Sequence, residues 1–400
     1  MPTDATGTGS ESPEVAHLDA QRHAPPVPVP PAPVPRARLI DRVEHGGTNV
    51  RLTTEFGVDP RSLLDFSVNS NPLGTSPRAL RAMQLVDPSL YPDSGCLRLA
   101  SALAAAHSVG PDSILVGNGS VELIWLLAQT YLQAGDTALI VGPTFGEYAA
   151  GVLRTGAAVL QIDASEQRAF VPDVDGLAAA IRGVAPRVVF ICNPNNPTGQ
   201  VLEQDDIRRL LAALGDGLLL MDEAYVDLAD GVESVTPLLR EDGRLVVLRS
   251  LTKSHGLAGL RLGYLVAAEA ITAAVGQAQP PWTVNALAQA AGIAALGDDE
   301  YLLAGQRLAR RARARLVDGF ENLGLACVPT RTSYWLVRVG DGRHFRDELL
   351  RRGIMVRDCR SFGLPAYIRV AARPMDECDR LLAVLSGLVS SGIVDSDKVN

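Results

Sequence analysis

The sequence predicts an α/β fold built on a mostly parallel sheet, followed by a second, smaller α/β unit. Three observations lead there. From Ile114 onward, short apolar runs alternate with helix-length amphipathic segments. After Gly263 the pattern changes, and one run free of breakers, Asp299 to about Leu323, is rich in Ala, Leu and Arg. A shorter strand and helix alternation then resumes. Buried strands separated by helices imply right-handed crossovers, which set the strands parallel and place helices on both faces.

In chain order, Ile114–Gly117 reads as a strand and Val121–Leu132 as the helix after it. Ala138–Val141, Ala158–Ile162, Val188–Cys192, Leu218–Met221 and Leu245–Leu248 follow as short apolar strands. Asp173–Arg182 and Gln204–Leu214 carry the helical period between them. The Ala/Leu/Arg run reads as one long helix, since nothing inside it disfavours that state. Beyond it come strand Tyr334–Arg338, helix His344–Arg352, strand Ile354–Arg357, strand Tyr367–Val370 and helix Met375–Val389. Residues 1–36 end in PPVPVPPAPVP (Pro25 to Pro35), which favours an extended polyproline II chain and forms no core. The expected organisation is therefore a disordered leader (1–36), an N-terminal arm with a substrate loop (37–90), a large cofactor domain (91–298) and a small C-terminal domain led by the long helix (299–400).

Composition narrows the partners. A net charge of −8 repels nucleic acid and anionic membranes as a whole. No apolar run reaches the length that spans a bilayer, and the N-terminus lacks a secretory layout. The five cysteines are scattered without a C-x-x-C, so no metal site is expected and a reducing, cytoplasmic setting is.

Three segments carry chemistry: CNPNNPTG (Cys192–Gly199), MDEAY (Met221–Tyr225) and SLTKSHGLAGLRLGY (Ser250–Tyr264). Each follows a strand, where an α/β sheet binds its ligands. Together they meet the needs of pyridoxal 5′-phosphate (PLP). Lys253 supplies the amine for a Schiff base and for proton transfer at the substrate α-carbon. Asp222, next after LLLM, is placed to keep a pyridine nitrogen protonated. Tyr225 and Asn196 are placed to donate to the cofactor's phenolate oxygen. For the phosphate, Gly119, Ser120 and Val121 in GNGSVE form a glycine turn and helix start, with Ser120 as the expected N-cap. Ser250 and Thr252 add hydroxyls, and Arg261 adds a guanidinium eight residues after Lys253. Phe145 in GPTFGEY is placed to stack on the ring.

On these motifs, above all S-x-x-K followed by G-L-R-x-G-Y, the sequence resembles the class I/II aminotransferases of PLP fold type I. The resemblance implies a large seven-stranded domain with a small one, acting on a small-molecule amino acid as a homodimer. In such dimers a tyrosine of the partner subunit reaches the cofactor phosphate, and Tyr91 in LYPDSG matches its position. Two branches of the family compete, histidinol-phosphate aminotransferase and threonine-phosphate decarboxylase of cobalamin biosynthesis. The stretch from His45 to Gly74 resembles the decarboxylase branch. There His45, Gly46, Gly47, Ser67, Asn69 and Asn71 are expected to line the substrate pocket. By the same resemblance Arg369 clamps the substrate carboxylate and Arg357 is a second anion contact. Ser333, where the family usually has an asparagine, is expected near the substrate side chain. A PLP-dependent lyase or decarboxylating deaminase of specialised metabolism is a further reading. A PLP-sensing regulator is disfavoured, since thirty-odd proline-rich residues cannot form a DNA-binding domain.

Overall fold

A computed structural model describes Gly46, Gly47 and residues 50–390; the proline-rich leader and His45 lie outside the described residues. Its strands are β1 (Leu64–Asp65), β2 (Ile114–Asn118), β3 (Thr137–Gly142), β4 (Ala158–Asp163), β5 (Val188–Cys192), β6 (Leu218–Asp222), β7 (Leu245–Ser250), β8 (Leu262–Ala267), β9 (Tyr334–Arg338), β10 (Ile354–Met355), β11 (Arg357–Asp358) and β12 (Tyr367–Ala371). Seven of them form one sheet in the order β2-β8-β7-β6-β5-β3-β4. β4, β3, β5, β6 and β7 run parallel to their neighbours in the set, and β8 is antiparallel to both β7 and β2.

Strands β3 and β5 to β8 of the large sheet are buried on both faces, which is why they read as largely apolar runs, whereas the edge strand β4 is partly exposed. Alternate residues point to opposite sides. Leu139, Val189, Leu219 and Val247 pack with Leu99, Leu103 and Ile207 on one side. Ile140, Phe190, Leu220 and Val246 pack with Leu123, Leu127 and Val152 on the other. The helix Ser120–Tyr131 follows β2 as expected, but Ser120 is its first residue. The cap position belongs to Gly119, whose φ of +79° falls where an L side chain is strained. This corrects the expected capping role of Ser120.

β8 has no counterpart among the expected strands, because it lies inside the LRLGY motif and continues from the lysine turn without a helical crossover. Gly263 of β8 faces both Gly117 and Ser250 in register. A Cβ there would sit 2.6 Å from the backbone nitrogen of Ser120, so glycine lets the helix start close on the sheet.

The long helix is present as Asp299–Asn322. Ala309, Ala312, Leu316 and Phe320, at three- and four-residue steps, pack on Trp335, Val337, Ile368 and Leu381. The expected strand Ile354–Arg357 is divided. β10 pairs parallel with β1, whereas β11 pairs with β12 in a separate sheet ordered β11-β12-β9, and Val356 alone lies between them. Among the described residues, no helix is long and apolar enough to cross a membrane.

Candidate active site

One cavity of about 430 Å³ opens at the carboxyl ends of β5, β6 and β7. Of the residues singled out from sequence, Gly46, Gly47, Ser67, Asn69, Ser120, Val121, Phe145, Asn196, Asp222, Tyr225, Ser250, Thr252, Lys253, Arg261, Arg357 and Arg369 line it. Lys253 sits in a four-residue helix, Leu251–Ser254, directly after β7. Its ammonium lies 6.0 Å from the Tyr225 ring centroid. Burial, then the nearby Arg369 and Arg261 charges, push its pKa down to about 8, against the opposing pull of Asp222.

Asp222 is the last residue of β6 and is buried. Burial pushes its pKa up to about 6, opposed by hydrogen bonds from the Tyr148 hydroxyl (2.6 Å) and the Ala224 N–H (3.0 Å) and by the Lys253 charge. Tyr148 was not singled out from sequence. The signal for it was its place one helical turn beyond Phe145, and the two rings meet edge to face at 5.7 Å. Cys192, the register neighbour of Asp222, also lines the cavity, and burial raises its thiol pKa. Val68, Ala224, Ala258 and Phe362 complete the wall and were likewise missed.

Arg369 is buried and has no carboxylate partner among the described residues. It donates to Asn196 Oδ1 and, at 2.6 Å, to the Ser67 carbonyl, and its Nε is left without an acceptor. Arg357 lies directly across the β11–β12 pair from Arg369, donates to Ser361 (2.6 Å) and stands 5.5 Å from the centre of the Phe362 ring.

Of the expected residues that the structure describes, four are not in the lining. Gly119 stands just behind it, where a Cβ would come within 2.7 Å of the Arg261 guanidinium. Asn71 lies behind Lys253, with its amide engaged by backbone of the lysine turn and of its own loop; this corrects its expected place in the substrate pocket. Tyr91 is 83% exposed and meets Trp282 in a tilted ring pair at 5.1 Å. His45 is outside the described residues. Ser333 is buried and away from the cavity, and its hydroxyl has no partner, which corrects its expected place near the substrate.

The donor set suits PLP. The helix starting at Ser120 has no side-chain cap, so its first N–H groups face the cavity for a phosphate. Arg261 pairs with no carboxylate among the described residues, and its hydrogen bond is a long one to the Ala258 carbonyl (3.4 Å). A sequence profile of the family "Aminotransferase class I and II" matches residues 61–385. The chain belongs to that family. The enzyme is PLP-dependent. Histidinol-phosphate aminotransferase 2 of Pseudomonas aeruginosa is 36% identical over 345 residues, spanning 85% of this chain and 92% of that one. The histidinol-phosphate aminotransferase of Symbiobacterium thermophilum is 35% identical over 335 residues, spanning 82% and 91%. The crystal structure of the Sinorhizobium meliloti histidinol-phosphate aminotransferase, in complex with pyridoxal-5′-phosphate, superposes with a TM-score of 0.78 over 85% of this chain and 94% of that one; at 24% identity it is similar in fold.

Two predictions follow from the charges. A folded-state pKa near 6 against the ordinary 3.8 means the Asp222 carboxylate weakens the apoenzyme above pH 6. The cost is about 3 kcal/mol at about 1.4 kcal/mol per unit, and it fades to nothing below about pH 4. Asp222→Asn apoenzyme is therefore expected to unfold at higher urea than wild type at pH 8, and at the same urea at pH 4. For Lys253, only the neutral amine attacks an aldehyde. Apoenzyme mixed with PLP should gain its lysine-linked absorbance at a rate that falls about tenfold per unit below pH 8 and levels off above it. A midpoint near 10 would show that the amine is not desolvated.

Proposed function

We propose that the enzyme transfers the amino group of a small anionic amine or amino acid, such as a phosphorylated one, to a keto acid. The observation that carries this reading is the cross-strand pair Arg357 and Arg369 in the same cavity as Lys253 and Asp222. Arg369, buried and without a carboxylate partner among the described residues, offers a planar fork to a carboxylate or phosphate. Relatives named for histidinol phosphate favour that substrate class. Bound, PLP withdraws electrons from the substrate α-carbon. The chain supplies the rest: Lys253 carries the proton to and from that carbon, and Asp222, held by Tyr148 and Ala224, balances charge at the pyridine nitrogen. Tyr225 and Asn196, both in the cavity lining, would donate at the cofactor's phenolate oxygen. Ser120, Val121, Ser250, Thr252 and Arg261 would hold its phosphate, and the Arg369 anchor decides which α-carbon bond is labile.

A second reading is decarboxylation, as in threonine-phosphate decarboxylase. It is favoured by the His45–Gly74 resemblance and by the place of that segment's Gly46 and Ser67 against Arg369. We also propose a homodimer. Tyr91 and Trp282 form an exposed aromatic pair flanked by exposed Leu90 and Leu97, and a second copy would cover it and bring Tyr91 to the neighbouring phosphate site.

Single turnover with histidinol phosphate should leave an amino group on the enzyme that 2-oxoglutarate then removes as glutamate. Carbon dioxide released from O-phosphothreonine with no keto acid present would replace transamination by decarboxylation. Arg369→Ala should raise KM for both partners by about a hundredfold, the loss of a charge-assisted bidentate contact, and an unchanged KM would remove the anchor. Sedimentation equilibrium at micromolar chain should give twice the chain mass, and a monomer would remove the shared site.

A further inference from the structure

Asn71 is buried in a loop, and its polar atoms turn away from the cavity. Its backbone N–H donates to the Lys253 carbonyl (2.9 Å), and its Nδ2 donates to the Ser254 carbonyl (3.0 Å). Oδ1 accepts from the N–H of Leu73 (3.0 Å), which fixes the amide's orientation. Lys253 and Ser254 close a helix of only four residues. One turn leaves its last carbonyls without partners in the helix and does not persist in water unaided. Asn71 provides those partners from far upstream in the chain. The seam continues with Thr75, whose hydroxyl donates to the Gly256 carbonyl (2.7 Å). At Gly256, φ is +66° and a Cβ would lie 2.8 Å from the Thr75 nitrogen.

The amide is backed in turn by the long helix Asp299–Asn322. A Cβ on Gly305 would lie 2.6 Å from Cγ of Asn71. One turn earlier, the Tyr301 hydroxyl donates to the Leu73 carbonyl (2.7 Å). We infer that Asn71 is a positioning residue that sets the place of the Lys253 amine, with Gly305 leaving room for its amide in the required rotamer. This rests on Lys253 carrying the cofactor. Without the amide, the lysine turn loses its closing partner, and the amine loses its fixed place beside Arg369, Arg261 and Asp222. Its pKa then moves back toward that of an ordinary lysine.

The test uses full-length apoenzyme and holoenzyme of Asn71→Ala, Asn71→Asp and Gly305→Ala. In each, the pH midpoint for forming the lysine-linked absorbance with PLP should rise by about one unit. For holoenzyme, kcat should fall about tenfold or more while KM for the amino donor changes little. Asn71→Asp keeps the acceptor and loses the donor, so it should behave as Asn71→Ala. The double variant Asn71→Ala/Gly305→Ala should be no worse than Asn71→Ala, since the clash at Gly305 needs the amide. A wild-type midpoint and kcat in Asn71→Ala, whatever its melting temperature, would overturn the inference. Should Asn71→Ala fail to fold, a wild-type midpoint and kcat in Gly305→Ala would overturn it equally. Lys253→Ala run in parallel separates the two levels. A lysine-linked chromophore in that variant would remove the site reading itself, whereas wild-type behaviour of the Asn71 variants alone removes only the positioning role.

Discussion

Desolvated charge governs this site. An ammonium, a carboxylate and three guanidinium groups line a cavity of about 430 Å³, and in such surroundings each charge is costly unless a partner faces it. Lys253 is pushed toward neutrality by burial and by two arginines, while Asp222 is pushed toward protonation by burial alone and held back by three favourable neighbours. The downward shift brings a neutral amine within reach near pH 8, and because the upward shift stops near 6 the carboxylate is still ionised there, the combination that PLP chemistry asks of its protein. Parallel strands make this possible, because their carboxyl ends gather residues far apart in sequence while apolar cores exclude water from both faces.

The layer behind the cavity is polar as well, and it is arranged to hold position. Glu223, next to Asp222, accepts from Ser234 (2.6 Å), the Val235 N–H (2.6 Å) and Arg249 (3.2 Å). Arg249 also reaches Asp227, and Gln306 of the long helix donates to the Asp227 carbonyl (2.6 Å). A buried ion cluster of this kind adds little net stability, since desolvation offsets most of the attraction. It does tie the ends of β6 and β7 to one another and to the long helix.

Much of this was readable in the sequence for a plain reason. Strands buried on both faces must be apolar throughout, so β3, β5, β6 and β7 announced themselves, and the cofactor residues follow them directly. The rest depends on contacts that sequence does not order. β8 hid inside the LRLGY motif, because its pairing with β2 joins segments more than a hundred residues apart. Asn71 resembled a pocket residue because its loop does reach the cavity, through Ser67 and Asn69, before it turns behind the lysine. Tyr148 belongs to the site only through its hydroxyl's hydrogen bond to Asp222, which joins residues 74 apart in the chain. Ile354–Arg357 showed the composition of one strand, and nothing in the four residues marks the change of sheet.

That change of sheet bears on how this scaffold diversifies. Successive strand residues face opposite ways, so gaining or losing one residue at Val356 would turn Arg357 out of the cavity while leaving β1 and β10 paired and Arg369 in place. A single-codon insertion or deletion is thus enough to delete one of two anion contacts without touching the cofactor site. Descendants of such a chain would differ in ligand charge by a step in length, with their catalytic motifs intact, and comparing motifs alone would group them as one activity.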